Sequence, residues 1–219
     1  MWRYSWRDVR WKFALMAIVN TAISALFLDD PVVGAVWIRR LSTTMPLLFA
    51  MNAIVLASAG VATQISQRPG QVVHSSMLFL LSLPIARRRL VLVREAVGAA
   101  AALVLMLLTL GAYWLLTESL RASVGPSQAL QFVLSVAAFM MLAYSVSALL
   151  ATVLDQLWQT YASLGVVSVA LWAIPSARFW GNVFVMDGGA RVLGGIATSL
   201  LLGAALVWFS VRVVERKQF

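Results

Sequence analysis

The sequence predicts an all-helical (all-α) membrane protein, a bundle of six transmembrane helices with both termini in the cytoplasm. Of its 219 residues, 62% are hydrophobic and 11% are charged, whereas soluble domains are about half apolar and about a quarter charged. Apolar segments recur along the chain, most near the roughly 20 residues that a helix needs to cross a bilayer. The basic residues lie at the ends of these segments rather than on one polar face, so the net charge of +9 does not indicate a nucleic-acid partner.

The N-terminal segment, 2–12, combines tryptophans with basic residues. On a helix, Trp2, Trp6 and Val9 share one side, because residues three and four apart are neighbours. Tryptophan favours the headgroup level and arginine the anionic surface. We therefore expect an interfacial helix on the cytoplasmic leaflet, with a simple basic flank of the first span as the alternative.

Six apolar segments follow, each bounded by charges, prolines or glycines. The first ends at Asp29-Asp30-Pro31, the third begins after Arg87-Arg88-Arg89, and the fourth is closed by Asp155. Residues 175–189 are mixed in polarity and either form a broken segment that dips into the outer leaflet or an ordinary outer loop. The expected spans, within a single transmembrane domain at 1–219, are 13–28, 41–65, 90–116, 130–154, 157–174 and 192–214.

The distribution of charge predicts the orientation of the bundle. With the N-terminus inside, twelve of the 17 Lys and Arg residues fall on the cytoplasmic side, as the excess of basic residues in cytoplasmic loops requires. The nine tryptophans lie toward the predicted span ends, where an aromatic belt is expected. Both patterns favour an integral membrane protein with both termini cytoplasmic, and the expected location is a bacterial cytoplasmic (inner) membrane.

Residues 71–86 do not fit a span. The apolar run at 72–83 is too short to cross a bilayer, and Pro84 with three arginines separates it from the third span. Burying one arginine at mid-membrane costs roughly 2.5 kcal/mol or more, so we expect a short cytoplasmic helix with an exposed apolar face. Such a face is typical of a partner-binding site, and a helix resting on lipid is the alternative.

The segment that leads into the third span, 80–95, has the sequence LLSLPIARRRLVLVRE. It resembles the coupling segment of type-2 ATP-binding-cassette (ABC) exporter permeases. The expected order of elements is also similar to that family, with an interfacial helix, two spans, a coupling helix and four further spans. One departure is Arg68-Pro69-Gly70, where the family usually has glutamate before the glycine.

The resemblance implies that substrate transport and ATP hydrolysis are carried out by different subunits. Such permeases form dimers of identical or different protomers, and each protomer seats its coupling helix in a groove of a separate ATPase subunit that binds ATP and Mg. The implied function is the export of an amphiphilic or hydrophobic substrate, such as a drug, peptide or lipid-like molecule. The expected ATPase contacts are Ser76, Phe79, Leu80, Leu83 and Arg87.

We expect no catalytic, cofactor or metal site on this chain. The sequence contains no G-x-x-x-x-G-K-[ST] phosphate loop, so ATP hydrolysis is expected of the partner. With no cysteine and a single histidine, His74, one protomer cannot build a zinc site. His74 is interpreted as a surface residue.

Ionisable and polar residues inside the spans are the remaining candidates. Glu95 lies just inside the third span beside Arg94, and we expect a structural ion pair, with a coupling-ion site as the alternative. Other polar residues in the spans either line a translocation path or form interhelical hydrogen bonds. A methionine in a span can offer an adaptable apolar surface to a substrate, although it more commonly packs in the core. The candidates for a substrate path are Asn20, Asn52, Tyr144 and Met140.

An ion-coupled secondary transporter working as a dimer is the rival function. Six spans in each protomer are compatible with it. However, the two halves show no convincing repeat, and no acidic residue falls at the centre of a span, whereas such carriers typically show both features.

Overall fold

The computed structural model describes residues 2–28, 34–57, 87–154, 156–176 and 190–216. Almost all of these residues are helical, and none of them belongs to a strand. The all-helical fold expected from the sequence is therefore confirmed. The helices are α1 (Trp2–Leu28), α2 (Gly34–Ala57), α3 (Arg87–Leu116), α4 (Glu118–Ser123), α5 (Pro126–Ala151), α6 (Gln156–Ser176) and α7 (Ala190–Arg216).

Three of the helices are long and apolar enough to cross a membrane. They are α5 along its whole length, α3 over Val91–Leu116 and α7 over Val192–Arg216. Large apolar side chains such as Leu108 and Leu201 point away from the bundle, as lipid-facing residues do. These three helices indicate an integral membrane protein.

Three helices form the centre of the bundle. Helices α2, α3 and α5 all pack against one another. Each remaining long helix covers the seam between two of them: α1 packs on α2 and α3, α6 on α2 and α5, and α7 on α3 and α5. Helix α5 is accordingly the most buried of the three apolar helices. The core between the central helices includes Phe49, Ile54, Met106, Val136 and Met140.

The N-terminal part of the chain is organised differently from the sequence-based expectation. One continuous helix, α1, covers both the expected interfacial helix at 2–12 and the expected first span at 13–28. The physical reason is that no proline or glycine interrupts this stretch, so a change in polarity at residue 12 does not end the helix. Val9 is buried in the core, while Trp2 and Trp6 remain exposed.

The segment between α3 and α5 lies between the expected spans at 90–116 and 130–154, and it contains the short helix α4. Helix α5 then begins at Pro126, four residues before the expected start of the span at 130, because proline is favoured at the first helical position. The backbone N–H of Gly125 donates to Oε1 of Gln128 at 3.1 Å. This contact satisfies one of the donors that a helix start leaves without an intrahelical partner.

Candidate functional site

The asparagine cluster joins α1, α2 and α3 through Asn20, Asn52 and Thr109. Nδ2 of Asn52 donates to Oδ1 of Asn20 at 3.1 Å, and Nδ2 of Asn20 donates to Oγ1 of Thr109 at 3.2 Å. The Thr109 hydroxyl donates in turn to the Leu105 carbonyl oxygen at 2.8 Å. Asn20 and Asn52 are only 2% and 1% exposed. The structure thus brings two predicted path residues into direct contact and encloses both between helices.

The serine cluster joins α5, α6 and α2 through Ser147, Gln159 and Ser163. The Ser147 hydroxyl donates to the Ile54 carbonyl oxygen at 3.4 Å and accepts from Gln159 Nε2 and from the Ser163 hydroxyl, the latter at 3.2 Å. All three side chains are fully buried. Gln159 and Ser163 are four residues apart and therefore share one face of α6. This face fixes the position of α6 against the two central helices.

The tyrosine cluster lies where α3 meets α5. The Tyr144 hydroxyl donates to the main-chain carbonyl oxygen of Glu95 at 3.1 Å. A Cβ at Gly98, three residues further along α3, would overlap the Tyr144 hydroxyl oxygen, so glycine is what permits this close approach. Arg94 and Glu95 are both buried beside this contact. The ion pair expected between them stays a prediction.

Several buried acceptor atoms have no hydrogen-bond partner among the described residues. They are Oδ1 of Asn52, Oε1 of Gln159 and Oε2 of Glu95, one in each of the three clusters. A buried polar atom without a partner costs free energy. Each cluster therefore contains a buried acceptor that no described residue satisfies in this conformation.

Met140, the fourth predicted path residue, is fully buried in the core with Phe49 and Val136. All four path candidates are thus enclosed in this conformation. Interhelical hydrogen bonds and packing describe their contacts here, and a role in a substrate path stays a prediction.

The expected ATPase contacts lie mostly outside the described residues. Arg87 is the first residue of α3, whereas Ser76, Phe79, Leu80 and Leu83 fall in the stretch that the structure does not describe, as does His74. Within the described ranges, no group of three His, Cys, Asp or Glu side chains is placed to hold a metal ion.

Sequence reasoning missed Thr109, Gln159 and Ser163. A signal was present for the last two, because a glutamine and a serine four residues apart form a polar stripe on an otherwise apolar helix, which favours an interhelical contact. No such signal marked Thr109, since a single threonine in an apolar helix usually bonds to its own backbone.

Replacing Ser147 with alanine is expected to lower the free energy of unfolding by about 1–3 kcal/mol, because Gln159 and Ser163 lose their acceptor while they remain buried. Ser145→Ala is the matched control, since the Ser145 hydroxyl donates to the Met141 carbonyl oxygen of its own helix at 2.8 Å and bonds to no other residue in the part of the chain that the structure describes. The control is expected to change stability by less than about 0.5 kcal/mol. Unfolding in mixed detergent and dodecyl sulfate micelles measures both variants, and equal losses would show that the serine cluster does not stabilise the bundle.

The chain matches no protein-family model, no curated protein and no solved structure. Its helical bundle, with three helices long and apolar enough to cross a membrane, indicates an integral membrane protein.

Proposed function

We propose that the chain is the membrane-spanning permease subunit of an ABC exporter and moves an amphiphilic or hydrophobic substrate out of the cytoplasm. Segment 80–95 carries this proposal, because its sequence resembles the coupling segment of type-2 permeases and leads directly into α3. A separate ATPase subunit, which binds ATP and Mg, docks on residues 71–86. A second permease protomer completes the transporter.

Under this proposal, the six long helices all cross the membrane. Helices α1, α2 and α6 pack along the three helices that are apolar enough to span it. Two of them also present large apolar side chains outward, Leu15 and Ile18 on α1 and Val166 and Val169 on α6. Outward apolar side chains on the outer helices support contact with lipid around the whole bundle.

Both termini are proposed to be cytoplasmic. Arg88 near the start of α3 lines the same groove as Arg212 and Glu215 near the end of α7, so these two helix ends lie at one end of the bundle. Trp2 and Arg3 of α1 also line a cavity with residues 97–104 of α3, near the middle of that helix. The basic start of α3 and the basic end of α7 therefore share one end, which supports placing that end in the cytoplasm.

The packing of α3 suggests how docking at residues 71–86 reaches the substrate path. Helix α3 follows that segment and contacts α1, α2, α5 and α7. A displacement of α3 is passed to α5 through the Tyr144–Glu95 hydrogen bond and to α1 through the Asn20–Thr109 hydrogen bond. In the proposed mechanism, the buried acceptors without a described partner accept new hydrogen bonds when the helices slide.

An ion-coupled secondary transporter is the second candidate, and the burial of Glu95 inside α3 is the observation that favours it. The two functions differ in their energy source. The exporter needs a nucleotide-hydrolysing partner, whereas the carrier needs only an ion gradient and this chain.

Transport in inside-out membrane vesicles distinguishes the exporter from the ion-coupled carrier. Vesicles that contain the chain and its co-purifying ATPase are expected to accumulate a fluorescent amphiphilic dye, rhodamine 6G, when ATP and Mg are added. The complex is also expected to hydrolyse ATP faster than the isolated ATPase. A protonophore should leave uptake unchanged. Uptake that is driven by an imposed proton gradient, without ATP and without the ATPase, would reject the exporter in favour of the carrier.

A further inference from the structure

A groove of about 330 Å³ lies between the start of α3 and the last turns of α7. The α7 residues that line it recur every three or four positions, so they form one stripe along the helix. Arg88 and Leu92 of α3 form the opposite wall. The α7 residues in the stripe are Ala204, Val207, Trp208, Val211, Arg212 and Glu215.

The groove is apolar at one end and charged at the other. Ala204, Val207 and Leu92 lie further from the helix ends, whereas Arg88 and Arg212 lie within about one turn of them. Ala204 is the smallest side chain of the stripe and leaves space beside α3. This gradient matches an amphiphile whose charged group sits at the helix ends and whose apolar part lies along the bundle.

The charged end is partly pre-ordered. The Arg212 guanidinium lies over the Trp208 ring, 5.3 Å from its centroid, and Nη1 of Arg212 lies 3.4 Å from Oε2 of Glu215. Trp208 is 58% exposed and the Arg212 side chain 57% exposed, as expected of groups at the membrane–water boundary. With Arg88 also exposed, two guanidinium groups face one carboxylate, and the rim carries a net positive charge.

We propose that this groove binds an anionic phospholipid, with the headgroup phosphate between Arg88 and Arg212 and one acyl chain along Leu92, Ala204 and Val207. Guanidinium groups match the geometry of phosphate oxygens, and basic pockets between membrane helices bind anionic headgroups. A lipid bound in this way bridges α3 and α7. This inference does not depend on the energy source of transport.

Two double variants with the same change in charge test the proposal. Arg88→Gln/Arg212→Gln removes the basic rim. Arg89→Gln/Arg216→Gln removes two exposed arginines close to the same helix ends that do not line the groove. Native mass spectrometry of the purified chain, titrated with phosphatidylglycerol and with phosphatidylcholine, measures lipid binding. The rim variant is expected to bind phosphatidylglycerol about tenfold more weakly than the wild type and the control.

Ala204→Trp provides an independent variant, because it fills the groove, keeps every charge and replaces an exposed residue. It is expected to weaken phosphatidylglycerol binding as well. Unchanged binding in Ala204→Trp, equal weakening in the two double variants, or equal affinity for phosphatidylcholine would each overturn the proposal. Displacement of the lipid by millimolar inorganic phosphate would also overturn it, since the site would then recognise phosphate alone. If the rim variant instead loses the ATPase and keeps the lipid, the groove is a protein contact.

Discussion

Replacing Gly98 with valine is expected to lower the free energy of unfolding by about 1–3 kcal/mol, because the new side chain overlaps Tyr144 at the contact between α3 and α5. The hydroxyl oxygen of Tyr144 is the nearest atom to a Cβ at this position, and Cζ and Cε2 follow at 3.1 and 3.2 Å. The ring has little room to move, since it is 4% exposed and its hydroxyl is bonded to the Glu95 carbonyl oxygen. Valine has a better helix propensity than glycine, but this difference offsets only a few tenths of a kcal/mol of the lost stability.

Helix α3 offers a matched control for this substitution. A Cβ at Gly111 meets no atom within 4 Å, so Gly111→Val is expected to change stability by less than about 0.5 kcal/mol. The double variant Gly98→Val/Tyr144→Phe lacks the nearest overlapping atom and is expected to recover part of the loss. Thermal unfolding in detergent micelles, followed by tryptophan fluorescence, measures all three. Equal stability of the two valine variants would mean that α3 and α5 do not approach closely at Gly98.

Changing Leu80 to aspartate is expected to weaken binding of the ATPase subunit about 100-fold, and ATP turnover of the complex is expected to fall with it. The physical reason is that a carboxylate would have to enter an apolar groove without a partner, which costs several kcal/mol. Co-purification from detergent extracts and ATP hydrolysis in proteoliposomes measure the effect. This test concerns the coupling segment alone and leaves the lipid groove unaffected.

Leu78→Asp is the control for the coupling segment, because two residues along the proposed helix correspond to a rotation of about 200°. The same charge is then placed on the face opposite Leu80, and ATPase binding is expected to change less than about threefold. Normal assembly and turnover of the Leu80→Asp complex would contradict the proposed docking. If Leu80→Asp releases the segment from lipid vesicles and leaves the ATPase bound, the segment is an interfacial helix.

The class of fold was predictable because membrane helices must contain their own backbone hydrogen bonds and must match the bilayer in apolar length. Within the described residues, α3 ends at Leu116, where the third span was expected to end. The continuity of α1 was missed, since the basic and aromatic residues before Phe13 change the polarity of the chain without changing its helical geometry. Pro126 lies outside the span that was expected to begin at residue 130, yet it is the first residue of α5, because proline suits the first position of a helix.

The sequence could indicate individual candidate residues, but it could not predict which of them contact one another. Asn20 and Asn52 stood out because amides are rare at membrane depth. Their hydrogen bond to each other, and the third member Thr109, depend on how helices distant in sequence are aligned, which local patterns do not encode. The role of Gly98 could not be predicted from the sequence either, since its close contact with Tyr144 depends on how α3 packs against α5.

The central position of α5 has a consequence for biogenesis. The first three long helices already contact one another and share the asparagine cluster, so they can associate as soon as they leave the translocon, before α5 is synthesised. Helices α6 and α7 each lie against α5 and find most of their partner surface only after it has inserted. If all six long helices insert as proposed, this order of contacts predicts maturation in two steps, in which α1, α2 and α3 associate first and α6 and α7 pack after α5 has inserted.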